Sequence, residues 1–278
     1  MVPRAWDQRR RLMTQAHGMR LDAGDATGAN SPPPFDLHSG SQFARHVMKP
    51  RPIAKVPAEW SFLINSMPKS GTLWVAAMLA AALPEGAQAR VSFAHTYDGL
   101  AELAAPEVRC VVLVRDLRDI VVSWFNETQR NDLRAGYDAP RFPGIEAFYF
   151  EHLLGLLRAS PRFGHGDFEP WLDLVSARAF PILRFEDLLV DPKKGLAKMM
   201  TFWKVTIPAK TISKIAQAHC FKAMARAKGG GGIPVERWIS EGHLHRGQSG
   251  AWRNDMPERV EQDVSTRFAS YQERLGYA

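Results

Sequence analysis

The chain has 278 residues, 45% of them hydrophobic, which is enough for one substantial core. Lys and Arg outnumber Asp and Glu by 36 to 29, giving a formal charge of +7. Outside the N-terminal arm no basic block is interleaved with aromatics, which argues against nucleic acid and for a multiply charged small anion as partner.

Residues 1–57 begin MVPRAWDQRRRLMTQAHGMRL, basic but without the apolar segment of a signal peptide. They continue through DAGDATGANSPPPFDLHSG, rich in Gly, Asp, Ser and Pro, and predict a flexible arm ahead of a domain over 58–278. From Trp60 the pattern becomes apolar runs alternating with helical periods. WSFLINSM predicts a buried strand, followed by a helix from Gly71 to Leu83. ARVSFAH and VRCVVLVRD predict a second and a third strand, and a helix from Leu117 to Gln129 follows. Cys110 inside the third run reads as a small buried hydrophobe. With Cys220 as the only other cysteine, neither a disulfide scaffold nor a zinc site is expected.

The stretch 130–178 is predicted mostly helical, with breaks at Pro140, Pro143, Pro161 and Gly164–Gly166. FPILRFEDL predicts a fourth strand entering a turn, and DPKKGLAKMMTFWKV a helix opened by Asp191 and Pro192. The four glycines 229–232 predict a loop or a lid hinge. From Pro257 an amphipathic helix carries Val260, Val264, Phe268 and Tyr271 on one face. Strands and helices alternating in this way predict an α/β fold in one domain, a parallel sheet flanked by helices. No run approaches the ~20 apolar residues of a membrane span, so a soluble, cytoplasmic protein is expected.

The chemistry concentrates at SMPKSGTLW, residues 66–74, where the first strand turns into a helix. Unsatisfied amides and the helix dipole make such a turn an anion site. Gly71 allows close backbone approach, Lys69 adds a charge, and Ser70 and Thr72 add hydroxyls. It is not the Gly-x4-Gly-Lys-Ser/Thr loop of ATP-hydrolysing folds, because the lysine precedes the glycine. At the C-terminal end of the third strand stands Arg115, with Ser123 eight residues later on the next helix. Ligands of parallel α/β sheets bind at such strand ends, so the pair suits a second phosphate.

These residues resemble the sulfotransferase family. Lys69-Ser-Gly-Thr-Leu-Trp74 resembles its 5′-phosphosulfate loop, usually Pro-Lys-Ser-Gly-Thr-Thr-Trp. Arg115 to Ser123 is similar to its 3′-phosphate motif, HRGQSGAWRNDM to its Arg-Lys-Gly-x-x-Gly-x-Trp segment, and LRFEDLLVDP to its Tyr-Glu-Asp-Leu strand end. The resemblance implies a P-loop-like nucleotide-binding fold and 3′-phosphoadenosine 5′-phosphosulfate as co-substrate, with no metal expected. It implies transfer of the sulfuryl group to a hydroxyl or amine of a small-molecule or glycan acceptor. By position, Lys69, Ser70, Gly71 and Thr72 would hold the 5′-phosphate side, and Trp74 and Phe185 would lie by adenine. Arg115, Ser123, Arg246 and Gly247 would hold the 3′-phosphate. Lys69 would also act catalytically on the leaving phosphate.

The expected general base is His95 at the end of the second strand, at an offset similar to that of the family's catalytic histidine in Lys-Thr-His; Asp98 is the alternative, either orienting His95 or acting as base, and the sequence does not rank them. Departures from the family pattern are Leu73 for a second Thr, Phe93 for Lys, and His245 for Arg. A P-loop kinase or NTPase is the enzymatic rival, with Asp116 after VVLVR as its nearest metal-binding carboxylate. A non-enzymatic nucleotide-binding module is the other rival. The arm and the C-terminal helix offer contact surfaces for a homodimer.

Overall fold

The described residues organise around β1 (Ser61–Ser66), β2 (Val91–His95), β3 (Val108–Val114) and β4 (Ile182–Arg184), all parallel and ordered β2-β1-β3-β4. In this computed structural model the described residues are 56–84, 87, 91–95, 105–159, 168–220, 223 and 247–278. The predicted N-terminal arm, the glycine run 229–232 and Asp98 therefore lie outside them, apart from residues 56 and 57 of the arm.

Between the strands run α1 (Thr72–Ala82), α2 (Leu117–Arg134), α3 (Ile145–Phe148), a π-helical turn (Tyr149–Leu153), α4 (Leu154–Ala159), and α5 (Glu169–Ala177). After β4 come α6 (Phe185–Val190), α7 (Pro192–Phe202), α8 (Ala209–Ala218), α9 (Trp252–Asp255), α10 (Glu258–Arg267) and α11 (Ala269–Arg274).

Strand periodicity sorts the core into two layers. On β1, Phe62 and Ile64 face one side and Leu63 the other; on β3, Val111 and Leu113 oppose Cys110, Val112 and Val114. The first side packs on α1, α6, α7 and α8, the second on α2 to α5, α10 and α11. A parallel sheet covered on both faces is the architecture that near-continuous apolar strands demand. Cys110 is fully buried, and burial pushes its thiol pKa up.

The order β2-β1-β3 means that the chain leaves β1 for one side of the sheet and returns to the other. The crevice between the C-terminal ends of β1 and β3 is thus a switch point, the place where such sheets take ligands.

Several elements differ from the sequence expectation. α2 continues to Arg134, with the buried Asp132 side chain near its end accepting from the backbone N–H and guanidinium of Arg141. FEDL, expected to run from strand into turn, coils into α6. α8 was not anticipated, although Ile212 and Ile215 bury one side of it. The C-terminal amphipathic helix is interrupted at Phe268, whose ring packs on Phe168 at 5.6 Å. Its four apolar face residues are all buried, as expected. Among the described residues no helix is long and apolar enough to cross a membrane.

Candidate active site at the sheet switch point

The loop after β1 has an unusual backbone. Lys69 (φ 68°) and Gly71 (φ 91°) are left-handed, while Ser70 between them is not. Alternation of this kind forms the amide concavities that bind anions. Gly71 is required twice over. Its φ suits glycine, and a Cβ there would stand 3.0 Å from Phe185 Cδ2. Lys69 has no such excuse, and left-handed geometry in a non-glycine costs about 1–3 kcal/mol. A neighbour at the end of β3 holds it: Arg115 donates through Nη1 to the Lys69 carbonyl at 3.0 Å.

Arg115 is 8% exposed and ties three segments together. Besides Lys69 it donates through Nη2 to the Gln248 carbonyl at 3.2 Å, and its guanidinium lies 4.3 Å above the Phe185 ring. Its Nε has no hydrogen-bond partner among the described residues. The Ser70 hydroxyl, fully buried, has none either. Buried donors without acceptors are rare because desolvation is costly, so two of them at one crevice point to an anion.

Asp119, on the first turn of α2, anchors the C-terminal segment. Its carboxylate accepts from the amides of Gly250 at 2.7 Å and Trp252 at 3.1 Å. Burial raises its pKa, opposed by the Arg115 charge and these two amides. Gly247, next to Gln248, is left-handed (φ 55°). Arg246 lies outside the described residues.

Lys69 is largely buried and forms an ion pair with the Glu127 carboxylate at 2.9 Å. Burial lowers the Lys69 pKa; Glu127 opposes the shift, and Arg130 and Arg115 add to it. Glu127 is one turn beyond Ser123 on α2, so the half-buried Ser123 shares the helix face that meets this loop.

His95 ends β2 opposite Ser66. Its Nδ1 is 3.2 Å from the Ser66 carbonyl and 3.4 Å from the Ser66 hydroxyl, which in turn pairs with the Thr72 hydroxyl at 2.7 Å. A carbonyl only accepts, so Nδ1 carries the proton and Nε2 is the basic nitrogen. Ser66 thus links the histidine to the phosphate loop.

Trp74 is buried in the core, its indole N–H donating to the His219 carbonyl and its ring edge-on to Phe185 at 6.0 Å. In the helical middle stretch, Phe148, Tyr149, Phe168 and Trp171 are fully buried core residues. Phe150 is half-buried, and Phe163 lies outside the described residues. Asp116, the rival metal ligand, caps α2 and is chelated by Arg118 at 2.9–3.2 Å, with Gln272 also donating to it. Among the described residues no His, Cys, Asp and Glu group of three or more could hold a metal.

The sequence reading missed Glu127, Gln248 and the anchoring part of Asp119. Only Glu127 left a signal, its four-residue spacing from Ser123.

Comparison with known proteins agrees with this fold. A family model described as the sulfotransferase domain matches residues 95–275, beginning after the first phosphate loop. Mouse sulfotransferase SULT7A1, solved with PAP, superposes with a TM-score of 0.57 at 19% identity, covering 77% of this chain and 85% of its own. Retinol dehydratase with retinol and PAP gives 0.56 at 14%, covering 78% and 82%. The same enzyme with androsterone and PAP, described as inactive cofactor, gives 0.53 at 14% over the same shares. No curated protein matches the sequence. At these identities the solved structures speak for the fold, and the family match covers well over half the sequence: the chain belongs to the sulfotransferase domain family and is a sulfotransferase.

Proposed function

We propose that this enzyme takes the sulfuryl group of 3′-phosphoadenosine 5′-phosphosulfate and transfers it in line to a hydroxyl or amine of a small-molecule or glycan acceptor. The observation that carries this reading is the pair of buried donors without acceptors, Ser70 Oγ and Arg115 Nε, on the two sides of the switch point. The donor, when bound, supplies an activated sulfuryl group and about four negative charges. Lys69, the loop amides and the hydroxyls of Ser70 and Thr72 bind its 5′ side, while Arg115, Ser123, Arg246 and Gly247 bind its 3′-phosphate. Gly71 completes the 5′-phosphate loop, and Phe185 and Trp74 form the adenine side.

His95 Nε2 takes the proton from the acceptor's O–H or N–H as the new bond to sulfur forms. The Lys69 ammonium neutralises the charge that appears on the departing 5′-phosphate oxygen. A positioned general base contributes about 10²–10⁴ in rate. The solved relatives holding androsterone and retinol make a lipid-like alcohol a first acceptor to screen.

Calorimetry with adenosine 3′,5′-bisphosphate tests the donor site. Binding without metal, tighter than that of ATP or AMP, is expected. Preference for ATP with magnesium would instead favour a kinase or NTPase, although the Arg118 chelation of Asp116 opposes that rival. His95→Ala separates an enzyme from a binding module: transfer should fall by about 10²–10⁴ with bisphosphate binding retained.

A further inference from the structure

Lys69 has a carboxylate partner, Glu127, in a site proposed to receive a polyanion. That arrangement is electrostatically costly for the ligand. A carboxylate within contact of the lysine repels the incoming phosphates and competes for the ammonium that they need. A second cation explains how the conflict can be relieved. Arg130 stands three residues beyond Glu127 on α2, on the neighbouring part of the same face. The charge of Glu127 acts favourably on both cations, and that of Arg130 acts unfavourably on Lys69. Glu127 thus acts on two cations, Lys69 in contact at 2.9 Å and Arg130 three residues on along its own helix. The Lys69–Glu127 ion pair spans 2.9 Å, and Glu127 keeps 23% of its side chain exposed. Such a contact can be exchanged.

We propose that Glu127 is an exchangeable counter-ion that holds Lys69 until the donor's phosphate takes the lysine, and then turns to Arg130 on its own helix. This rests on the donor-site reading above and adds a positioning residue to it. Before binding, Glu127 favours the charged form of the buried lysine and stations it at the mouth of the loop. After transfer, it competes for the same lysine and weakens the hold on the bisphosphate product, which favours release.

The test is calorimetry of adenosine 3′,5′-bisphosphate on the full chain, comparing wild type, Glu127→Gln, Arg130→Gln and the double variant, with thermal midpoints as folding controls. Glu127→Gln should bind about tenfold tighter, the scale expected of one close charge pair. Arg130→Gln should bind several-fold more weakly, and this loss should shrink in the Glu127→Gln background. A structural role for Glu127 predicts weaker binding, never tighter. If Glu127→Gln fails to fold, Glu127→Asp keeps the charge but retracts it, and should still tighten binding. Unchanged or weaker binding by the folded Glu127 variants, or an Arg130 loss equal in both backgrounds, overturns the proposal alone. Absence of bisphosphate binding in wild type and variants overturns the donor-site reading together with it.

Discussion

Arg115 Nη1 donates to the carbonyl of Lys69 at 3.0 Å, so the residue that follows β3 sets the backbone of the loop that follows β1. Arg115 is thereby part of the architecture as well as a prospective ligand, and its substitution tests both roles. Arg115→Ala should lower stability by about 3 kcal/mol, from two lost charge-assisted bonds and the contact with Phe185, and should abolish bisphosphate binding. Arg115→Lys keeps the charge without the fork, so it should recover part of the binding and little of the stability. Denaturant unfolding alongside calorimetry separates the two effects.

Gly71→Ala should cost stability and binding for two reasons that a second substitution resolves. The left-handed φ penalises any side chain by about 1–2 kcal/mol, and the new Cβ presses on Phe185. Adding Phe185→Leu should return only the steric part. Full recovery of the thermal midpoint in the double variant would show that backbone strain was not the cause.

Removal of the Asp119 carboxylate leaves the Gly250 and Trp252 amides without their acceptor. Asp119→Ala should destabilise the protein by about 1–3 kcal/mol and speed amide exchange selectively in residues 247–256. Bisphosphate affinity should fall with it, since the same segment supplies the Gln248 carbonyl that orients Arg115. Unchanged exchange in that segment would rule out the anchoring role.

Burial holds the Lys69 pKa below the ordinary 10.5, even with Glu127 opposing the shift. The ammonium is charged below its own lowered pKa and neutral above it, so anion affinity should be highest below that pKa. It should fall as pH rises towards 10.5, by at most about tenfold per unit. Stability of the free enzyme runs the other way, because the folded lysine binds fewer protons than the unfolded one across that window, and stability gains with pH there. Calorimetry between about pH 8 and 10, where the ligand's phosphates are fully ionised, should show the slope in wild type and lose it in Lys69→Met.

Much of the fold was legible because its signals are local. The apolar runs of β1 and β3 and the Asp191-Pro192 helix start each announce themselves within a few residues. FEDL in α6 was not, since four residues after a strand carry no period, and Leu188 coils to reach the core of the first layer. α8 was missed for a related reason. Its sequence, AKTISKIAQA, is mostly polar or small, and Ile212 and Ile215 acquire meaning only once α1 and α7 are beside them. The motif residues were legible by resemblance, yet the environment of Trp74 was not: its indole N–H finds an acceptor in His219, far along the chain.

The sequence by itself determined that a parallel sheet would carry a lysine-bearing turn after β1, because strand burial and the Lys69-Ser-Gly-Thr72 run are read from near neighbours. Only the tertiary structure decided which groups complete that turn. Arg115 reaches Lys69 across 46 positions and Asp119 reaches Gly250 across 131, because β3 lies beside β1 and α2 lies beside the C-terminal segment. A charged side chain carries no mark of its partner. Glu127, Asp119 and Arg115 acquired theirs when strand order and helix packing set the distances, since ionic and hydrogen-bonding interactions inside a protein fall off within a few ångströms of contact.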